Sequence, residues 1–125
     1  MARLKGKIAA LRNLEGARRL LRTRFIDGDL ARNEDGISVS PRSPKAYSFC
    51  ALGACKHVNG PGELLAIEFL QQACRDVYNS DVDKYSSTTR NGRLTNHDIF
   101  RVNDDLGKKS ILHAFAQAIK SLKAA

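Results

Sequence analysis

The three prolines of this chain, Pro41, Pro44 and Pro61, all fall between positions 41 and 61. Both flanks are therefore free of the residue that most strongly breaks a helix, and the fold turns on whether their apolar residues recur with helical period. Residues 1–25 are rich in Leu, Ala and Arg, so helix is the expectation. Leu4, Ile8 and Leu11 fall on one face, but Leu14, Ala17 and Leu21 fall on a face rotated by roughly a quarter turn. Gly16 adds a local cost of about 1 kcal/mol relative to Ala. The chain thus divides into a basic N-terminal arm or extra helical turn over residues 1–12 and one globular domain over 13–125, whose first helix covers 13–24.

Past the prolines the periodicity is clearer. Asn59-Gly60-Pro61-Gly62 is a break, with Pro61 suited to the first turn of the next element. Residues 63–78 form an amphipathic helix with Ile67, Leu70, Cys74 and Val77 on one face. Gly107 precedes a last helix in which Ile111, Phe115, Ala118, Ile119 and Leu122 keep the 3.6 period. Residues 45–58 are apolar nearly all round, through Tyr47, Phe49, Cys50, Leu52, Ala54 and Cys55, and read as a short buried helix. Between the first two helices, Asn33-Glu34-Asp35-Gly36 is a turn that predicts a small hairpin of residues 29–32 with 37–40. Residues 79–96 read as a long polar loop and 98–102 as an extended connector. The fold expected is mainly α (α+β): a four-helix single domain with a small β-hairpin between the first two helices. Its core draws on Leu14, Leu21, Cys50, Leu52, Ile67, Leu70, Cys74, Phe115, Ile119 and Leu122.

A chain of 125 residues buries enough surface for one core without disulfides or metal. No apolar run approaches the ~18–20 residues that span a bilayer, so no membrane role is expected. Three cysteines, an odd number without framework spacing, argue for a reduced, cytoplasmic and soluble setting. The formal net charge is +8, unevenly spread. Residues 1–24 carry a net +7, residues 25–106 a net −3 and residues 107–125 a net +4. Basic ends around an acidic middle favour an anionic partner, either nucleic acid or an acidic protein face. Arg18, Arg19 and Arg22 project together, away from Leu14, Ala17 and Leu21, and Glu15 is spaced to pair with Arg18 or Arg19. The binding residues expected are Arg3, Lys5, Lys7, Arg12, Arg18, Arg19, Arg22, Lys120 and Lys123.

Catalytic signals are weaker. Cys50 lies near a helix start, where a dipole lowers a thiol pKa, and His97 and Asn103 follow in the order cysteine, histidine, asparagine of papain-like hydrolases. With residues 98–102 extended, His97 and Asn103 stand about 20 Å apart at ~3.3 Å per residue, and Asn103 cannot orient His97. Phe49, Leu52 and Ala54 surround Cys50 with apolar neighbours, so it reads as a core residue. Cys50 and Cys55 point apart on one helix, as do Cys55 and His57, so they and Cys74 make no zinc site. No metal and no cofactor is expected. His113 reads as a surface or half-buried histidine, and Asn103-Asp104-Asp105 as the cap of the last helix. Ala51, Gly53 and Ala54 form a small-residue patch against which another helix can approach closely. Gly60 and Gly62 lack the lysine and hydroxyl of a phosphate loop. No zinc finger, aromatic RNA-binding signature or GXXG clamp accompanies the basic charge.

The block Phe49-Cys50-Ala51-Leu52-Gly53-Ala54, with the opening Leu14-Glu15-Gly16-Ala17-Arg18-Arg19-Leu20-Leu21, Asn103-Asp104, and Ala118-Ile119 in the last helix, resembles an uncharacterised family of small bacterial and phage proteins. The resemblance covers about residues 14–122. Cys55 stands where the family pattern has a larger apolar residue, and Phe25 where it has tryptophan. It implies a fold and a phage or mobile-element setting, but no activity. The function expected is a non-catalytic basic binding module for an anionic macromolecule, of which an inhibitor that occludes a host defence complex is one form. Its homodimerisation through a helix face is open. The rival is a Cys50-dependent hydrolase or transferase with His97 or His57 as base.

Overall fold

A computed structural model of the chain describes residues 2–81 and 92–125, with the backbone alone for 2–5 and 81. The loop expected over 79–96 lies largely outside the described residues. The first element, α1 (Ala2–Arg24), is one continuous helix. The division expected after residue 12 falls inside it, because the buried stripe is Ala10, Leu14, Ala17 and Leu21. That spacing of four, three and four is a regular helical face. Ile8 is 42% exposed, whereas Ala10 is fully buried: the larger side chain lies off the seam and the smaller one on it. Gly62 explains this, since a Cβ there would lie 2.6 Å from the Ala10 Cα. The two backbones touch, and only small residues fit between them.

After α1 the chain forms β1 (Ala31–Arg32), which pairs antiparallel with β2 (Ser48–Phe49), Ala31 opposite Phe49 and Arg32 opposite Ser48. The expected hairpin is thus corrected. Its turn is present, with Gly36 N–H donating to the Asn33 carbonyl at 3.0 Å and the Asn33 side chain accepting from Asp35 and Ile37 N–H. Its return strand, however, makes only the isolated bridge Arg32 to Ser38. The ladder is instead made by residues expected in a helix. A short apolar run does not distinguish a buried strand from a buried helix, and the segment 45–58 contains both: β2, then α2 (Ala51–Val58). Cys50 is the N-cap of α2, its Sγ accepting from Gly53 N–H at 3.4 Å.

α3 (Glu63–Asp81) buries Ile67, Leu70, Cys74 and Val77 as expected. The connector expected over 98–102 is helical: α4 (Asn96–Phe100) runs directly into a π-helical segment, Arg101–Leu106. Thr95 and Asp98 form a capping box at its start, the reciprocal pair that satisfies two orphan N–H groups. Ile99 and Val102 are fully buried; their three-residue spacing is helical, but a run this short is equally compatible with an extended segment. α5 (Lys108–Ala124) completes the molecule. Among the described residues five α-helices, not four, surround a core that contains every residue expected in it.

α1 packs against α2, α3 and α5, and α3 also against α5. α1 and α5 run antiparallel, and each supplies a lysine to the other's C-terminal end. Lys7 Nζ donates to the carbonyls of Lys123 at 3.0 Å and Ala125 at 2.7 Å, and Lys108 Nζ to that of Arg22. Cations placed there also face the negative end of the helix dipole.

Candidate anion-binding groove

The antiparallel pairing of α1 and α5 brings the two basic ends of the sequence into one layer. Along their seam runs a groove of about 260 Å³ lined by Glu15, Arg18, Arg19, Arg22, Ile119 and Lys123. The side chains at 15, 18, 19 and 22 share a face because residues three and four apart are helical neighbours. Leu14, Ala17 and Leu21 hold the neighbouring, core-facing side of the helix. Arg19, Arg22 and Lys123 are exposed, and Arg18 is half-buried. With four cations and one carboxylate in the lining, the groove carries a formal charge of +3.

Two details distinguish it from an ordinary solvated helix face. The pairing expected of Glu15 with Arg18 or Arg19 does not form; the ion pairs among the described residues are Arg32–Asp29, Arg42–Glu63 and Arg75–Asp98. The Nε of Arg18 is also hidden from solvent and has no hydrogen-bond partner among the described residues. A buried donor left unmatched costs about 1–3 kcal/mol, which sets Arg18 apart from the exposed arginines beside it.

The remaining expected binding residues are dispersed. Arg12 and Lys120 are exposed outside the groove lining. Lys7 is engaged with the C-terminal carbonyls of α5. Arg3 and Lys5 lie on α1, with side chains outside the described residues. Ile119 and Glu15 complete the groove. Helical period places Ile119 in the core and gives no sign that it also borders the groove. Spacing alone makes Glu15 a partner for the arginines.

Cys50 belongs to a different place. It lines a cavity of about 320 Å³ with Gly28, Asp29, Leu30, Phe100 and Asp104. Burial raises its thiol pKa, opposed by the hydrogen bond from Gly53 N–H. Burial also raises the pKa of Cys55 and Cys74. His57 Nδ1 donates to the Pro41 carbonyl at 2.8 Å, and its ring lies tilted 4.6 Å from that of Phe49. His97 is exposed and its Nε2 accepts from Arg101 Nε at 3.0 Å.

The extended separation expected for His97 and Asn103 is corrected by α4. At ~1.5 Å per residue, they stand roughly 9 Å apart along the axis. Asn103 is nonetheless committed elsewhere. Its Oδ1 accepts from Ala51 N–H at 2.8 Å and its Nδ2 donates to the Ile26 carbonyl at 3.1 Å. It therefore caps α2 rather than α5, whose N-cap is Gly107 with no side-chain bond. The close approach expected at Gly53 is made by the Leu30 backbone rather than by another helix. No group of three or more His, Cys, Asp or Glu able to hold a metal occurs among the described residues, and no helix there is long and apolar enough to cross a membrane.

A model of a family of unknown function, DUF6197, matches residues 7–121. The chain belongs to that family. The DUF6197 match takes in the Cys50 cavity, Asn103 and every groove residue except Lys123. No curated protein and no solved structure matches the chain.

Proposed function

We propose that this DUF6197 protein is a non-catalytic binding module that engages an anionic macromolecule through the α1/α5 groove. The observation that carries the reading is the convergence of Arg18, Arg19, Arg22 and Lys123 on one groove with an unmatched Arg18 donor. Nucleic acid is the first partner to test, because arginine forks match phosphate geometry and the net charge favours association with a polyanion. An acidic protein face is the other. A phage or mobile-element protein that occludes a host complex needs only such a surface.

Salt dependence tests the reading. Removing one phosphate-binding cation lowers the log–log slope of affinity against salt by about 0.9. Replacing Arg18, Arg19 and Arg22 together by Gln is expected to lower the slope by up to about 3, with a shift in stability within ~0.5 kcal/mol at each of the exposed Arg19 and Arg22. An unchanged affinity and slope for duplex DNA, and for any acidic protein that co-purifies, would overturn it.

One observation favours a second reading. Cys50 faces a cavity beside Asp104 at the start of α2, which is where a hydrolase or transferase nucleophile would sit. Iodoacetamide separates the two. Alkylation of native Cys50 faster than a free thiol supports the enzyme, and protection until unfolding supports the binding module.

A further inference from the structure

Resting on that reading of the groove, we propose that it seats a single phosphoryl group, held in the fork of Arg18 and flanked by Arg22 and Lys123. Three observations converge on this chemistry. The groove is a half-open notch of about 260 Å³ between two helices, roomy enough for a compact oxyanion and part of the molecule that carries it. Arg18 lines the groove with its Nε hidden from solvent, which leaves the terminal Nη1 and Nη2 as the pair that grips two oxygens of one tetrahedral anion. Arg22 stands one helical turn further along the same face, ~5.4 Å in pitch, and Lys123 joins it from α5. Ile119 adds an apolar wall, reducing the water that competes for the anion.

Glu15 gives the site its selectivity. A carboxylate in the same lining repels a second anion and offers an acceptor to a protonated oxygen, so the groove favours a compact phosphate over a second carboxylate-bearing side chain. Removing the Glu15 charge therefore strengthens anion binding, whereas removing the Arg18 fork weakens it. A basic patch that acts through charge alone is indifferent to Arg18→Lys, which keeps the charge and removes the fork.

The test is a titration of inorganic phosphate, followed through the arginine Nε–H resonances at constant ionic strength, with chloride as the control anion. Saturable movement of the Arg18 signal, with the signals of Arg32, Arg42 and Arg75 still, is the expected result. Arg18→Lys keeps the charge and removes the fork, and should weaken phosphate at least about tenfold, the value of one charged hydrogen bond. Glu15→Gln should tighten it.

A second arm asks whether phosphate displaces a short DNA duplex from the groove. Displacement identifies the polymer backbone as the source of the phosphoryl group. Phosphate binding without duplex binding identifies a free phosphate or nucleotide, which keeps the seat and overturns the macromolecular reading. Duplex binding with no saturable Arg18 shift, or an Arg18→Lys protein that binds phosphate like the parent, overturns the seat and leaves the macromolecular reading standing.

Discussion

Asn13 and Asn103, neither of them a strong helix former, hold α2 at its two ends. Asn103 Oδ1 accepts from Ala51 N–H where the helix has donors to spare, and Asn13 Nδ2 donates to the carbonyls of Cys55 and Asn59, each at 3.0 Å, where it has acceptors to spare. Each is buried, so removing it strands groups that water does not reach. Asn103→Ala is expected to cost about 2–3 kcal/mol, read as a lower urea midpoint with an unchanged m-value; a shift below ~0.5 kcal/mol would contradict the capping role. Gly53 is equally constrained. A Cβ on it would overlap the Leu30 carbonyl oxygen and lie 2.7 Å from its carbon, and that carbonyl also accepts from Cys50 N–H at 3.2 Å. Gly53→Ala should therefore cost at least about 2 kcal/mol by overpacking, whereas Gly92→Ala, with open space around it, serves as the unaffected control. Asn103 is legible in the sequence as a cap, but for the helix next in line. Capping distance along the chain is a local signal; the partner 52 residues away is not, because a side-chain bond leaves no periodic trace.

At the scale of elements, legibility follows the hydrophobic period. α3 and α5 show the 3.6 repeat cleanly, and their buried faces are the ones it predicts. α1 obeys the same rule with Ala10 in its stripe, and weighting Ile8 above alanine hides the continuity of the helix across residue 12. α4 escapes because its five residues hold too few apolar positions to separate a helical from an extended period. What fixes α4 is Arg75 of α3. It pairs with Asp98 at 3.0 Å and donates to the carbonyls of Gly92 and Arg93. With the Arg75 and Asp98 side chains only 11% and 5% exposed, breaking the pair leaves a charge without compensation. Arg75→Met is expected to cost about 3–5 kcal/mol, and Arg75→Met with Asp98→Asn, which keeps an acceptor for the Thr95 N–H, distinctly less than the single change; equal costs would show that the buried charge carries little. The lysine exchange between α1 and α5 is more exposed. Lys7→Met and Lys108→Met should each cost about 0.3–1 kcal/mol at low salt and less at high salt, measurable as a difference in thermal midpoint between the two ionic strengths.

At the scale of the whole molecule, the charge is legible in its distribution but not in its geometry. Arg18, Arg19 and Arg22 share a face that helical spacing shows at once, whereas the meeting with Lys123 depends on α1 and α5 being neighbours, which no local pattern encodes. The three buried cysteines give the molecule a pH signature. Burial holds their thiols above the ordinary 9.0, so the folded protein keeps protons that the unfolded chain releases. Their contribution is fully present below about pH 9 and declines as pH rises beyond it, by up to ~1.4 kcal/mol per unit for each thiol. Urea midpoints between pH 7.5 and 10.5 should fall more steeply for the parent than for a Cys55→Ala, Cys74→Ala variant, and parallel curves would contradict the burial. The pairing of α1 with α5 also has a consequence in time. Lys7 meets the Lys123 carbonyl across a separation of 116 residues, and the Leu14 and Leu21 stripe gains its α5 cover only after that helix has been synthesised. A ribosome adding roughly 5–20 residues per second leaves the stripe incompletely covered for several seconds. Until α5 emerges, the nascent chain therefore carries an apolar stripe on α1 that its own sequence has not yet covered.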